Sequence, residues 1–272
     1  MSGMHRSPRT SVIRGMAILC GIVVATFPAC SDSTPTTAPV DLSGTFYGNT
    51  TTSLEAGSGR GYITLDAEGK PTELGLAIID GSFALMPATN SEYVFTLPSQ
   101  ASVTAYNHAV VNWVPAGHEP TPYLVPHFDV HFYLITGQAR NAITPTADPA
   151  YATKLALAPP ASFLPAGYVM DMGMQRMGMH WRDPAAPELS GQPFTSTYLY
   201  GSYDGKITFV EPMIAKSYLD SKPSLVKRSV TLPQLGSKTG YQATAYSIVF
   251  DGTKKEYRIA LTDFVPVVAT VP

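Results

Sequence analysis

Two stretches of this chain, residues 197–213 (TYLYGSYDGKITFVEPM) and 241–265 (YQATAYSIVFDGTKKEYRIALTDFV), constrain its fold more than any other feature. Each pairs two runs rich in Tyr, Val, Ile, Phe and Thr around an Asp-Gly, at 204–205 and at 251–252. Asp-Gly tolerates the positive φ that tight hairpin turns demand, and β-branched and aromatic side chains fit a pleated surface. Both stretches therefore predict antiparallel hairpins. The same texture recurs at 61–66, 72–79, 92–97, 103–114 and 124–136, with Gly and Pro between the runs. Helices are expected to be few and short. Asp148-Pro149 supplies an N-cap and a first-turn proline ahead of 150–157, and 213–219 forms a second candidate. Residues 158–191 are rich in Pro and Met and are expected as a long irregular connection lying over the sheet. Long helical periodicity and internal repeats are absent. The expected architecture is mainly β, a β-rich α+β fold: an antiparallel sandwich or barrel-like sheet forming a single domain over 41–272. With 44% hydrophobic and 14% charged residues, that domain can bury a substantial core.

The first 30 residues follow a different logic. Arg6, Arg9 and Arg14 form a positive leader without acidic residues, and 15–27 (GMAILCGIVVATF) is an apolar run too short to span a bilayer. Residues 1–29 read as a secretory signal peptide. Phe27-Pro28-Ala29-Cys30 then resembles the lipobox of bacterial lipoproteins, whose cysteine is lipidated, and 30–40 reads as a polar tether. Phe27 and Pro28 stand where that pattern has Leu and a small residue, so cleavage after Ala29 without lipidation is the alternative. The expectation is an exported envelope lipoprotein, facing periplasm or exterior and held to the membrane through Cys30.

Chemistry is narrowed by what the mature body lacks. Its only cysteines are Cys20 and Cys30, both in or at the leader, which excludes disulfides, thiolate nucleophiles and thiolate metal ligands from the domain. Three of 18 basic residues leave with the leader, so 15 scattered Lys and Arg face 20 acidic residues. Such a surface does not suit nucleic acid. No phosphate-binding loop, dinucleotide fingerprint or serine-nucleophile elbow is present, so no nucleotide cofactor is expected.

Histidine is where the sequence becomes specific. His108, His118, His127 and His131 fall within 24 residues, and His180 follows in MGMHW. In a strand, His127, Asp129, His131 and Tyr133 share one face while Phe128, Val130 and Phe132 share the other. Residues two apart lie ~6 to 7 Å from each other and can reach one metal; His127 and His131, ~13 Å apart, cannot on a straight strand. The metal-ligand candidates are His118, His127, Asp129, His131, His180 and Glu211, a donor set suited to zinc, iron or manganese. Glu119 and Glu211 are candidate proton acceptors for a metal-bound water. The competing reading makes His127, Asp129 and His131 a buried hydrogen-bonded network or a solvated strand face. Met170, Met172, Met174, Met177 and Met179 offer a copper alternative beside His180, or an adaptable apolar surface for a small-molecule or peptide ligand.

The motifs GHEP, PHFDVHFY, MGMHW and YGSYDGKITFVEPMI, in that order, resemble a bacterial family of unknown function typified by an extracytoplasmic protein under a sigma-E/anti-sigma-E pair. The resemblance covers roughly residues 41–220, with Ala215 where threonine is expected. It implies a mainly β subunit that forms homo-oligomers, and carries no established activity.

Overall fold

A computed structural model describes residues 41–49, 52–230 and 238–269. The expected signal peptide (1–29), Cys30 and the whole of the tether (30–40) lie outside the described residues. The strands are β1 (Gly44–Tyr47), β2 (Thr52–Leu54), β3 (Gly57–Leu65), β4 (Pro71–Ile79), β5 (Ser91–Thr96), β6 (His108–Val114), β7 (His127–Tyr133), β8 (Val169–Met174), β9 (Gly178–Arg182), β10 (Ser196–Tyr203), β11 (Lys206–Ala215), β12 (Val226–Ser229), β13 (Gly240–Asp251) and β14 (Glu256–Val267). The α-helices α1 (Gly137–Asn141), α2 (Tyr151–Ala156) and α3 (Lys216–Asp220) are each a turn or two long.

The strands form two open seven-stranded sheets. One runs β1-β3-β4-β14-β13-β12, with β2 on β3; the other runs β5-β6-β7-β11-β10-β9-β8. Every pairing within them is antiparallel, and neither sheet closes into a barrel. Both hairpins predicted from Asp-Gly form as β10–β11 and β13–β14. The sheets face each other across one core that joins Ile63, Leu74 and Leu76 of the first to Val111, Phe128, Val130 and Phe132 of the second. Phe83 bridges them, its ring 4.6 Å from Phe128 and 5.3 Å from Tyr257, while Tyr198 stacks on Tyr246 at 5.3 Å. Burying such aromatic rings is the largest single source of stability in a sandwich of this kind.

Three local expectations are corrected. Residues 158–191 are not irregular throughout, since β8 and β9 form a hairpin that extends the second sheet. Residues 213–215 continue β11, and the helix begins only at Lys216. The candidate at 103–114 starts as a strand only at His108, after a 3-10 turn over Ser99–Val103.

Candidate metal centre

In β7 the even-numbered residues Phe128, Val130 and Phe132 enter the core between the sheets. His127, Asp129, His131 and Tyr133 project from the opposite face. All seven residues of β7 are buried, because that second face is covered as well. On one side Tyr123, Leu199 and Met213 pack with Leu189 and Phe194; on the other Val110, Tyr133 and Phe209 pack with Ile135 and Met177. The polar side chains lie between two small apolar clusters, which removes the solvated-face reading.

Register then brings in the distant residues. Val210 pairs with Phe132 and Met213 with Asp129, so Glu211 falls opposite His131. His180 pairs with Gly201 on β10, and Gly201 pairs with Phe209 on β11. A Cβ at residue 201 would sit 2.0 Å from the Phe209 ring. Glycine there lets that ring lie flat, wedged between His131 (4.7 Å) and His180 (5.0 Å). His118 arrives from the loop between β6 and β7, held by Gly117 at φ 69°, where an added Cβ would lie 2.1 Å from the Tyr123 carbonyl oxygen.

The six candidate ligands form two groups, His118–His127–Asp129 and His131–His180–Glu211. Each residue of a group offers one donor atom, and those atoms lie within 4.8 Å of one another. In the second group, Nε2 of His131 is 3.5 Å and Nε2 of His180 is 3.6 Å from Oε2 of Glu211. In the first, Nε2 of His127 is 3.3 Å from Oδ1 of Asp129. Nε2 of His127, Nε2 of His131, Oδ1 of Asp129 and Oε2 of Glu211 are all buried without a hydrogen-bond partner. A charge-assisted hydrogen bond would close to ~2.7–2.9 Å. Ligands around a tetrahedral ion with bonds of ~2.1 Å stand ~3.4 Å apart, which is the spacing seen here.

Tautomers point the same way. Nδ1 of His118, His127 and His180 donates to the carbonyls of Glu119 (2.8 Å), Val125 (2.8 Å) and Met172 (3.0 Å). That leaves Nε2 as the ring atom each can offer its group, the arrangement by which backbone carbonyls orient metal-binding imidazoles. Burial lowers the pKa of the His127 ring and the facing Asp129 carboxylate raises it, and the carboxylate prevails. Burial drives the pKa of His131 down to about 3 and lowers that of His180, so both rings are neutral at physiological pH. Burial, reinforced by the negative charges of Asp129 and Asp171, holds Glu211 well above the usual carboxylate range. Burial would also raise Asp129, but the close approach of the His127 ring outweighs it and lowers the carboxyl.

A cavity of about 310 Å³ opens beside both groups, with His118, Asp129, His180 and Glu211 in its wall. Asp171, which the sequence reading passed over, lines it too, because β8 runs back along β9. Glu119 is exposed and does not line the cavity; only its carbonyl serves the site, through His118. The methionines divide: Met172, Met174 and Met177 line the cavity, Met170 is 42% exposed, and Met179 packs against the core.

Fold and site together define an antiparallel two-sheet protein with a buried histidine–carboxylate cluster beside a pocket. A family model described as TTHB210-like, hypothetical protein TTHB210, matches residues 66–113. That stretch runs from the turn before β4 through most of β6 and contains none of the six candidate ligands. No curated protein and no solved structure matches the chain.

The buried rings predict acid lability of the metal-free protein. His108, stacked on Tyr133, is lowered to about 4 by burial and the Arg140 charge, and His131 to about 3. An unfolded imidazole titrates near ~6.5, so below that pH the unfolded chain takes up protons the folded chain refuses. The contribution of these rings to stability should be lost, by on the order of a few kcal/mol, as pH falls from 6.5 to 4, while Glu211, held well above the usual carboxylate range, works in the opposite direction as pH rises. Urea midpoints measured with a chelator present test this. His108→Gln should make the loss between pH 6.5 and 4 shallower; an unchanged slope would contradict the assignment.

Proposed function

We propose that this is an exported, lipid-anchored envelope metalloprotein in which His131, His180 and Glu211 bind one divalent ion, and that the ion activates water in the adjoining cavity for a hydrolytic or hydration reaction. The observation that carries this is the convergence of three buried side chains at ligand-to-ligand spacing, with Nε2 of His131 and Oε2 of Glu211 left without a hydrogen-bond partner. Zinc is favoured over iron or manganese. Neutral imidazoles with a carboxylate form a zinc donor set. Three protein ligands leave a fourth position for water, the pattern of catalytic rather than structural zinc. Asp171, which lines the cavity, takes the proton-acceptor role in this reading in place of the exposed Glu119. Export and anchoring rest on the leader and Cys30 alone, and homo-oligomerisation on the resemblance of the motifs.

Copper held by the methionines is the weaker reading, because the five side chains do not share one place. A non-catalytic protein binding a small apolar ligand is the competing class, favoured by Met172, Met174 and Trp113 in the cavity wall.

Cobalt separates these readings. The first equivalent of Co(II) added to chelated protein should give the intense visible bands of a four-coordinate ion, and the loaded protein should hydrolyse a small activated ester faster than the chelated one. His131→Ala should lose the bands of this site and its ester hydrolysis. Strong bands with equal ester hydrolysis in both forms would leave metal binding without catalysis.

A further inference from the structure

We propose that His118, His127 and Asp129 hold a second divalent ion, separate from the one at His131, His180 and Glu211, so that the chain carries two metals opening on one cavity. The site stands on its own donors and goes beyond the single centre proposed above.

His127 and Asp129 share a face of β7 two residues apart, and both are more than nine-tenths buried. Their facing atoms, Nε2 and Oδ1, lie 3.3 Å apart with no other partner. His118 supplies the third donor, its ring 4.8 Å from that of His127 and turned 85° to it. A structural His–Asp pair accounts for two of these three residues and leaves His118 without a role. In such a pair the carboxylate selects the tautomer; here Nδ1 of His127 is already committed to the Val125 carbonyl. Asp129 meets Nε2 instead, and His118, its Nδ1 committed to the Glu119 carbonyl, offers its Nε2 to the same group. A proton can bridge two of these three donors; a divalent cation satisfies all three.

The loop that delivers His118 is fixed rather than loose. The His118 amide donates to the Tyr123 carbonyl at 3.2 Å, and the Tyr123 hydroxyl donates to Glu188 at 2.9 Å, inside the small apolar cluster with Leu199 and Met213. The two ions cannot be one, because the triads share no residue and His127 and His131 are ~13 Å apart along β7. With its third ligand on a half-buried loop residue rather than on a strand, the second site should exchange its ion faster.

Zinc stoichiometry by equilibrium dialysis of the purified chain tests this, with His118→Ala and His180→Ala alongside. His118 is on the loop and half-buried, so its truncation leaves the sheet intact, and a melting curve on each variant confirms folding. Two equivalents in the parent and one in each variant are expected, a chelator stripping the ion lost in His118→Ala first. One equivalent in the parent, kept by His118→Ala and lost by His180→Ala, overturns the second site and leaves the first. One equivalent lost by His118→Ala alone keeps this site and removes the other reading. No bound zinc in the parent overturns both.

Discussion

Filling the His131–His180–Glu211 site of the metal-free chain with zinc, at a thousandfold excess over the dissociation constant, should raise the melting temperature by roughly 8–16 °C. An ion that binds only the folded state stabilises it by about 4.1 kcal/mol at that excess, and a domain of this size gains about 2–4 °C per kcal/mol. The gain comes from a site built on three strands that unfolding scatters: His131 on β7, His180 on β9 and Glu211 on β11. Glu211→Gln makes the test sharp. Burial keeps the Glu211 carboxyl well above the usual range, so the neutral amide resembles what the metal-free site already contains. The metal-free variant should therefore melt close to the parent, yet lose this site's share of the zinc response. A variant that responds like the parent would show that Glu211 is not a ligand.

Arg140→Ala should destabilise the chain by about 3 kcal/mol, the low end of what breaking a buried ion pair costs. Arg140 is 2% exposed, and its Nη1 and Nη2 both donate to the Glu92 carboxylate, at 3.3 and 2.5 Å. Its guanidinium also lies 5.0 Å from the centre of the Tyr133 ring, which stacks on His108 and His131. Truncation leaves Glu92 with Arg176 as its remaining cation, at 2.9 Å, which is why the cost falls at the low end. Because the three charges share one network, Arg140→Ala combined with Glu92→Gln should cost less than the two single changes added together. Urea unfolding measures all three. A single-variant loss under about 1 kcal/mol would mean that the pair is solvated and contributes like a surface bridge.

The parts of this molecule that were legible in its sequence are those fixed by local rules. Asp-Gly between β-branched and aromatic runs marks β10–β11 and β13–β14, and the period-two pattern of PHFDVHFY separates the core face of β7 from its polar face. What lay hidden depends on long-range pairing. The hairpin β8–β9 was missed because Val169–Met174 is a partly exposed edge strand built from Met, Gly and Asp, with no apolar face to alternate. Missing it left His180 and Asp171 without a place. The grouping of six ligands into two triads was equally hidden, since Glu211 meets His131 through the β7–β11 register and His118 reaches His127 through a loop locked by Gly117. β3 was shortened by four residues for a similar reason, its Gly-Ser-Gly-Arg start carrying no strand signature. The helix expected at 150–157 forms at Tyr151–Ala156, yet its Ala150 N-cap makes no side-chain bond; Asp148 instead accepts from the Ala150 amide.

X-ray absorption at the zinc edge, on protein loaded with one equivalent, tests the central claim most directly. A four-coordinate shell of nitrogen and oxygen at ~2.0–2.1 Å, with the outer-shell scattering of imidazole rings and no sulfur, is the predicted result. A sulfur shell near ~2.3 Å, or six oxygens without imidazole, would place the ion on the methionines or on the surface and contradict the histidine–carboxylate centre.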